Sequence, residues 1–133
     1  MNNIYCIFLA SVAVLGVFSE GLVAFKIDAT VSLINEEMIA SSVSEKSKLE
    51  AYNSDDISLL AIDHDYLSSI VDDTIVSNLS FLDYDIGYYY YDSVTLNACK
   101  IGISSCNSVQ MKMDFTYHGK TYERVVRYEP IKA

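Results

Sequence analysis

Basic residues are scarce in this chain. Nine Lys and Arg stand against 18 Asp and Glu, for a net charge of −9. That shortage argues against nucleic acid and anionic lipid headgroups as partners, since both call for a basic surface. Three cysteines and two histidines are present, but no C-x-x-C, and no His/Cys set has zinc spacing. Nucleophile elbow, phosphate loop and Cys-His pairing are also missing, so neither an enzyme nor a cofactor is expected. There is no internal repeat and no long linker, which leaves one domain. The single proline, Pro130, closes the last predicted strand.

What the chain does have is an apolar run at 4–25, IYCIFLASVAVLGVFSEGLVAF, in which Glu20 is the only charge. About 20 such residues suffice to cross a hydrocarbon core about 30 Å thick. Two readings arise. In one, Val17 and Ser19 stand at −3 and −1 of a signal-peptide cut before Glu20. In the other, the run is an uncleaved membrane segment. The second is favoured because helical spacing continues beyond it, through Ile27, Val31, Ile34 and Met38. A carboxylate near the end of such a run either snorkels to the interface or finds a polar partner, which makes Glu20 a candidate contact in a helix bundle.

The charge is uneven. Residues 26–98 carry three Lys and 14 acids, and 99–133 carry six basic residues and three acids. The acidic middle reads first as a solvated surface; a contact with the basic tail of a neighbouring copy is the alternative.

The spacing predicts one long helix from Ile4 to about Leu49, weakened near its end by Ser41, Ser42, Ser44 and Ser47. Asn53-Ser54-Asp55-Asp56 is a break. A second helix is predicted over 57–80, with Leu60, Leu67, Ile70, Val71 and Ile75 as its stripe and Asp63 as an internal N-cap. The period then changes to two. Strands are predicted at 86–97, 109–118 and 121–129, the last two forming a hairpin around His118-Gly119-Lys120. The expected fold class is α+β: a long N-terminal helix, half membrane and half amphipathic, a second helix, and an antiparallel sheet of about three strands. The domains are 1–25, a membrane segment, and 26–133, an extracytoplasmic α+β domain.

Candidate sites are few. Tyr88, Tyr89, Tyr90 and Tyr91 alternate faces in a strand, so two pack inward and two face out, where they form a candidate binding surface. Cys99 and Cys106 flank a turn-rich stretch and would close a small loop in an oxidising compartment. Asp63-His64-Asp65 reads as a helix cap, because i and i+2 do not share a helical face. Asp83-Tyr84-Asp85-Ile86-Gly87 lacks the ligands that a calcium loop needs. Asn78-Leu79-Ser80 is a formal glycosylation sequon.

The apolar run with Glu20 near its end, followed by FKIDATVSLINEEMIASSV as an amphipathic helix and a small sheet with a cysteine-closed loop, resembles the TadE-like minor pilins and pseudopilin-like proteins of tight-adherence loci. Residues 4–45 carry the likeness. Glu20-Gly21-x-x-x-Phe25-Lys26 is similar to the Glu-Phe-x-Arg region at the end of that family's membrane helix. The resemblance implies a membrane-anchored structural or assembly subunit of a bacterial surface appendage or secretion system. Its apolar helix would pack among other pilin-like subunits within the lipid bilayer, with Glu20 as the polar contact. A small secreted binding protein released by signal peptidase is the alternative.

Overall fold

The computed structural model describes residues 21–100 and 106–130. Five helical segments precede a four-stranded antiparallel sheet. They are α1 (21–33), α2 (Glu36–Ala40), α3 (Glu45–Ser54), a 3-10 turn (Ile57–Leu59) and α4 (His64–Asn78). The strands are β1 (Asp83–Tyr91), β2 (Ala98–Cys99), β3 (Ser108–Tyr117) and β4 (Lys120–Tyr128), in spatial order β2-β1-β3-β4.

The single helix expected to reach Leu49 is therefore corrected to three. Polar side chains divide it by offering the backbone local partners that compete with the helix. Asn35 is extended and its side chain accepts from the Met38 N–H, with Glu36 and Glu37 behind it in the first turn of α2. Ser44 does the same for the Ser47 N–H at the start of α3. Between these caps, Val43 forms a β-bridge with Ile62, and the Ser44 N–H donates to the Ala61 carbonyl at 2.9 Å. The second helix is shortened too. Residues 60–62 are extended, and α4 begins after Asp63, whose carboxylate caps the Tyr66 N–H as the sequence predicts.

Among the described residues no helix is long and apolar enough to cross a membrane. The described part of α1 ends at residue 33 and carries Lys26 and Asp28; α4 carries Asp65, Asp72 and Asp73 in its 15 residues. The expected membrane half of a long helix is corrected on this finding. So is the single-pass placement in a cell membrane with the domain outside. Residues 4–20 of the apolar run, including Cys6 and Glu20, lie outside the described residues.

The sheet also departs from expectation. β1 starts three residues early, where Asp83 pairs with Thr116. It ends at Tyr91 because the Asp92 carboxylate accepts from the Val94 and Thr95 N–H groups, at 2.7 and 3.1 Å. That side-chain turn, with Leu96 left-handed at φ 63°, reverses the chain into β2, a fourth strand that the pattern does not reveal. The β3–β4 hairpin forms as predicted. Its two turn residues, His118 and Gly119, both have positive φ (50° and 78°), which suits the right-handed twist of the strands they join.

Two helices cover one face of this sheet. Val23, Ile27 and Ile34 are buried along and just beyond α1, and Leu67, Val71 and Ile75 along α4. They pack with Val109, Met111, Met113 and Phe115 of the central strand β3. Asp28 of α1 accepts from Arg124 Nε of β4 at 2.5 Å, while α4 meets β1. Cys99 and Cys106 are bonded, with Cα atoms 6.0 Å apart, tying β2 to the approach to β3.

Candidate functional site

The tyrosine run lies in β1, and the pleat separates it into two environments. Tyr88 and Tyr90 point inward beneath α4, with Tyr84 further along the same face. Their rings stack 6.3 Å apart, and His64, the first residue of α4, meets both edge-on. His64 Nδ1 lies 2.6 Å from the Tyr90 hydroxyl, so the helix start is pinned to the strand. The Tyr84 hydroxyl donates to Asp72 at 3.2 Å. The Tyr88 hydroxyl is buried without a hydrogen-bond partner among the described residues. Burial is the main reason that the Tyr88 and Tyr90 phenols are held well above the usual range. Asp72 adds to the rise for Tyr88, as Tyr88, Asp63 and Asp65 do for Tyr90.

On the outer face the pair is unequal. Tyr89 is 52% exposed, whereas Tyr91 is only 4% exposed. The two rings stack 5.8 Å apart, and the Arg127 guanidinium lies 5.7 Å from the Tyr91 ring centre. The Tyr91 hydroxyl donates to Glu129 at 2.5 Å. Burial pushes this phenol up to about 12; the Glu129 carboxylate adds to the rise and Arg127 opposes it. One ring, not two, is available to a partner.

These raised phenols predict an alkaline limit to stability. Between pH 10, where an ordinary tyrosine ionises, and about 12, the unfolded chain has released phenol protons that the folded chain retains. The folded state then binds more protons, so stability is fully present below pH 10 and falls as pH rises through this window. Urea midpoints should drop between pH 9 and pH 11.5, and Tyr91→Phe should make the decline shallower. An unchanged slope in that variant would remove Tyr91 from the effect.

The remaining sequence candidates do not converge on this face. The Asp83-Tyr84-Asp85 stretch is strand, with its acids on the outer face and Tyr84 on the inner. Among the described residues no group of three or more His, Cys, Asp or Glu is placed to hold a metal ion. Glu20 lies outside the described residues.

A second surface was not legible as such. α1 has two apolar sides. Val23 and Ile27 face the core, while Leu22, Phe25 and Leu33 are exposed, Phe25 at 69%. Leu33 also lines a shallow groove shared with Met38 and with Asp73, Thr74 and Ser77 of α4. Phe81 stands beside this surface with Lys26 above its ring, 5.4 Å from the centre. The signal was present in the all-round apolarity of 21–25, which exceeds what one buried stripe requires.

No family model matches the chain, and no curated protein or solved structure matches it.

Proposed function

We propose that this chain is a pilin-like structural or assembly subunit of a bacterial surface appendage or secretion system. One observation carries the reading: α1 presents an apolar stripe to its own core and a second one, Leu22, Phe25 and Leu33, to its surroundings. A helix that is apolar on both sides has a further partner to meet, because contiguous exposed apolar surface marks interaction sites. The fold agrees with that use. A helix laid on an antiparallel sheet and held there by Ile27 and the Arg124–Asp28 pair offers its free side from a rigid support. The partners of this reading are the corresponding helices of other pilin-like subunits.

A photo-crosslinking residue at Phe25, in cells of the source organism, tests it. Crosslinked oligomers are expected, together with loss of the surface appendage on deletion of the gene. Monomer alone with intact appendages would refute the assignment.

The secreted binding-protein reading rests on Tyr89. Its exposed ring lies in one cross-strand row with Gln110 and Arg127, an aromatic surface flanked by hydrogen-bonding groups.

A further inference from the structure

Among the described residues β4 is the last strand of the sheet and pairs with β3 alone. The two-residue turn makes Tyr117 and Lys120 the closing hydrogen-bonded pair. Alternate residues from Lys120 to Tyr128 thus bond to β3, and the backbone groups of Thr121, Glu123, Val125 and Arg127 point away from the sheet. Among the described residues one of these groups has a partner: the Glu123 carbonyl accepts from Arg124 Nη1 at 2.8 Å. The side chains of the same four residues stand on the outer face, where Val125 is 54% exposed between the charges of Glu123 and Arg127. An open edge of nine residues with an exposed valine at its middle is a template for strand pairing unless something covers it.

The order of those side chains selects the occupant. We propose that β4 pairs antiparallel with β4 of a second copy of this chain, about a two-fold axis at Val125, extending the sheet across both copies. In this register Val125 lies opposite the partner's Val125. Glu123 then lies opposite the partner's Arg127, and Arg127 opposite the partner's Glu123. Every outward-pointing residue in the centre thereby meets an apolar or oppositely charged neighbour, as favourable cross-strand pairs require. On the inner face Arg124 meets the partner's Val126, and Tyr122 meets the partner's Tyr128. Shifting the axis to residue 124 would set Arg124 against its own copy and lose both Glu–Arg pairs. The contact is isologous and closes after two copies. The free half of β1 is a poorer edge, because Asp83 and Asp85 would face a second acidic copy. The Lys112–Glu123 ion pair, 3.2 Å long and more than half exposed, leaves the Glu123 carboxylate able to accept a second cation. The β4 contact is separate from the exposed side of α1 and stands or falls without it.

The test is sedimentation equilibrium of the full chain in mild detergent, with circular dichroism and thermal melting to verify folding. A dimer is expected. Glu123→Arg and Arg127→Glu alone should each weaken it about tenfold or more, and the double variant should restore it. Val125→Pro should abolish the dimer with the circular dichroism retained, since it removes an N–H that β3 does not use. Lys112→Gln, which breaks only the intrachain pair, should leave the dimer intact. A monomeric wild type would overturn the proposal, as would a dimer indifferent to both single charge reversals. Oligomers that persist in all β4 variants and vanish in Phe25→Ser would place association on α1 instead. That result would overturn the β4 contact while supporting the subunit reading.

Discussion

Phe115→Ala is expected to cost about 3–5 kcal/mol, the range for deleting a fully enclosed aromatic ring. Phe115 has no exposed surface and sits on the central strand, between Tyr84 on β1 and Tyr122 on β4. Both helices that cover the sheet belong to the same core cluster, so the neighbours cannot collapse into the space without moving α1 or α4. A loss of that size is a large part of the stability of a domain this small. Phe115→Leu keeps most of the volume and should cost less than about 1.5 kcal/mol. Val125→Ala, on the exposed outer face, should be nearly neutral in the monomer. Urea unfolding followed by circular dichroism measures all three. A cost below 1 kcal/mol for Phe115→Ala would mean that the helices do not close over this part of the sheet.

The second large effect is polar. Asn107 is fully buried just before β3. Its amide nitrogen donates to the Ile57 carbonyl at 3.1 Å and to Ser93 Oγ at 2.9 Å. Its amide oxygen accepts from the Ser93 N–H and from Ser108 Oγ, each at 2.9 Å. One side chain thus joins the 3-10 turn, the β1–β2 reversal and the start of β3. Truncation strands those partners, Ser108 buried and Ile57 and Ser93 half-buried, at up to about 1–3 kcal/mol for each stranded group. Asn107→Ala is accordingly expected to lose about 2–4 kcal/mol, the partners being partly able to rearrange. Asn107→Asp retains the acceptor and loses the donor, so its carboxylate faces the Ile57 carbonyl. That variant should become less stable as pH rises through the carboxylate range, because folding then requires burying the charged form. Thermal melts at pH 4 and pH 8 read the difference. Equal melting temperatures would show that water reaches this site.

Legibility in the sequence followed the range of the interactions. The β3–β4 hairpin was plain because 109–118 alternates without a fault and His118-Gly119 supplies the turn. The apolar positions of α4 were plain for the same local reason. The breaks within the first helix were only half visible. The serines near 41–47 weakened the helix prediction, but Asn35 followed by Glu36 and Glu37 is itself a cap followed by acids, a start signal set inside an otherwise helical period. β2 is two residues long and exists by its pairing with Tyr90 and Tyr91, so no pattern could announce it. The tyrosine alternation predicted the two faces correctly. What it could not predict was the cover over Tyr91, which comes from Arg127 and Glu129 at the other end of the chain. The Asn107 bonds to Ile57 and Ser93 and the His64–Tyr90 bond are long-range in the same way.

The two sides of α1 bear the weight of the functional reading. Ile27 has no exposed surface, and Phe25, two residues away, is 69% exposed on the same helix. The most direct measurement is therefore a paired comparison of thermal melting and in-cell crosslinking for Ile27→Ala and Phe25→Ser. Ile27→Ala should lower the melting temperature, at a cost of about 2–4 kcal/mol. Phe25→Ser should leave melting nearly unchanged and abolish the crosslinks formed by a photo-reactive residue at Leu22 on the same side of α1, while the β4-paired dimer remains. Crosslinks from Leu22 that are undiminished in Phe25→Ser would contradict the account, since the exposed side of α1 would then not be held by its apolar stripe.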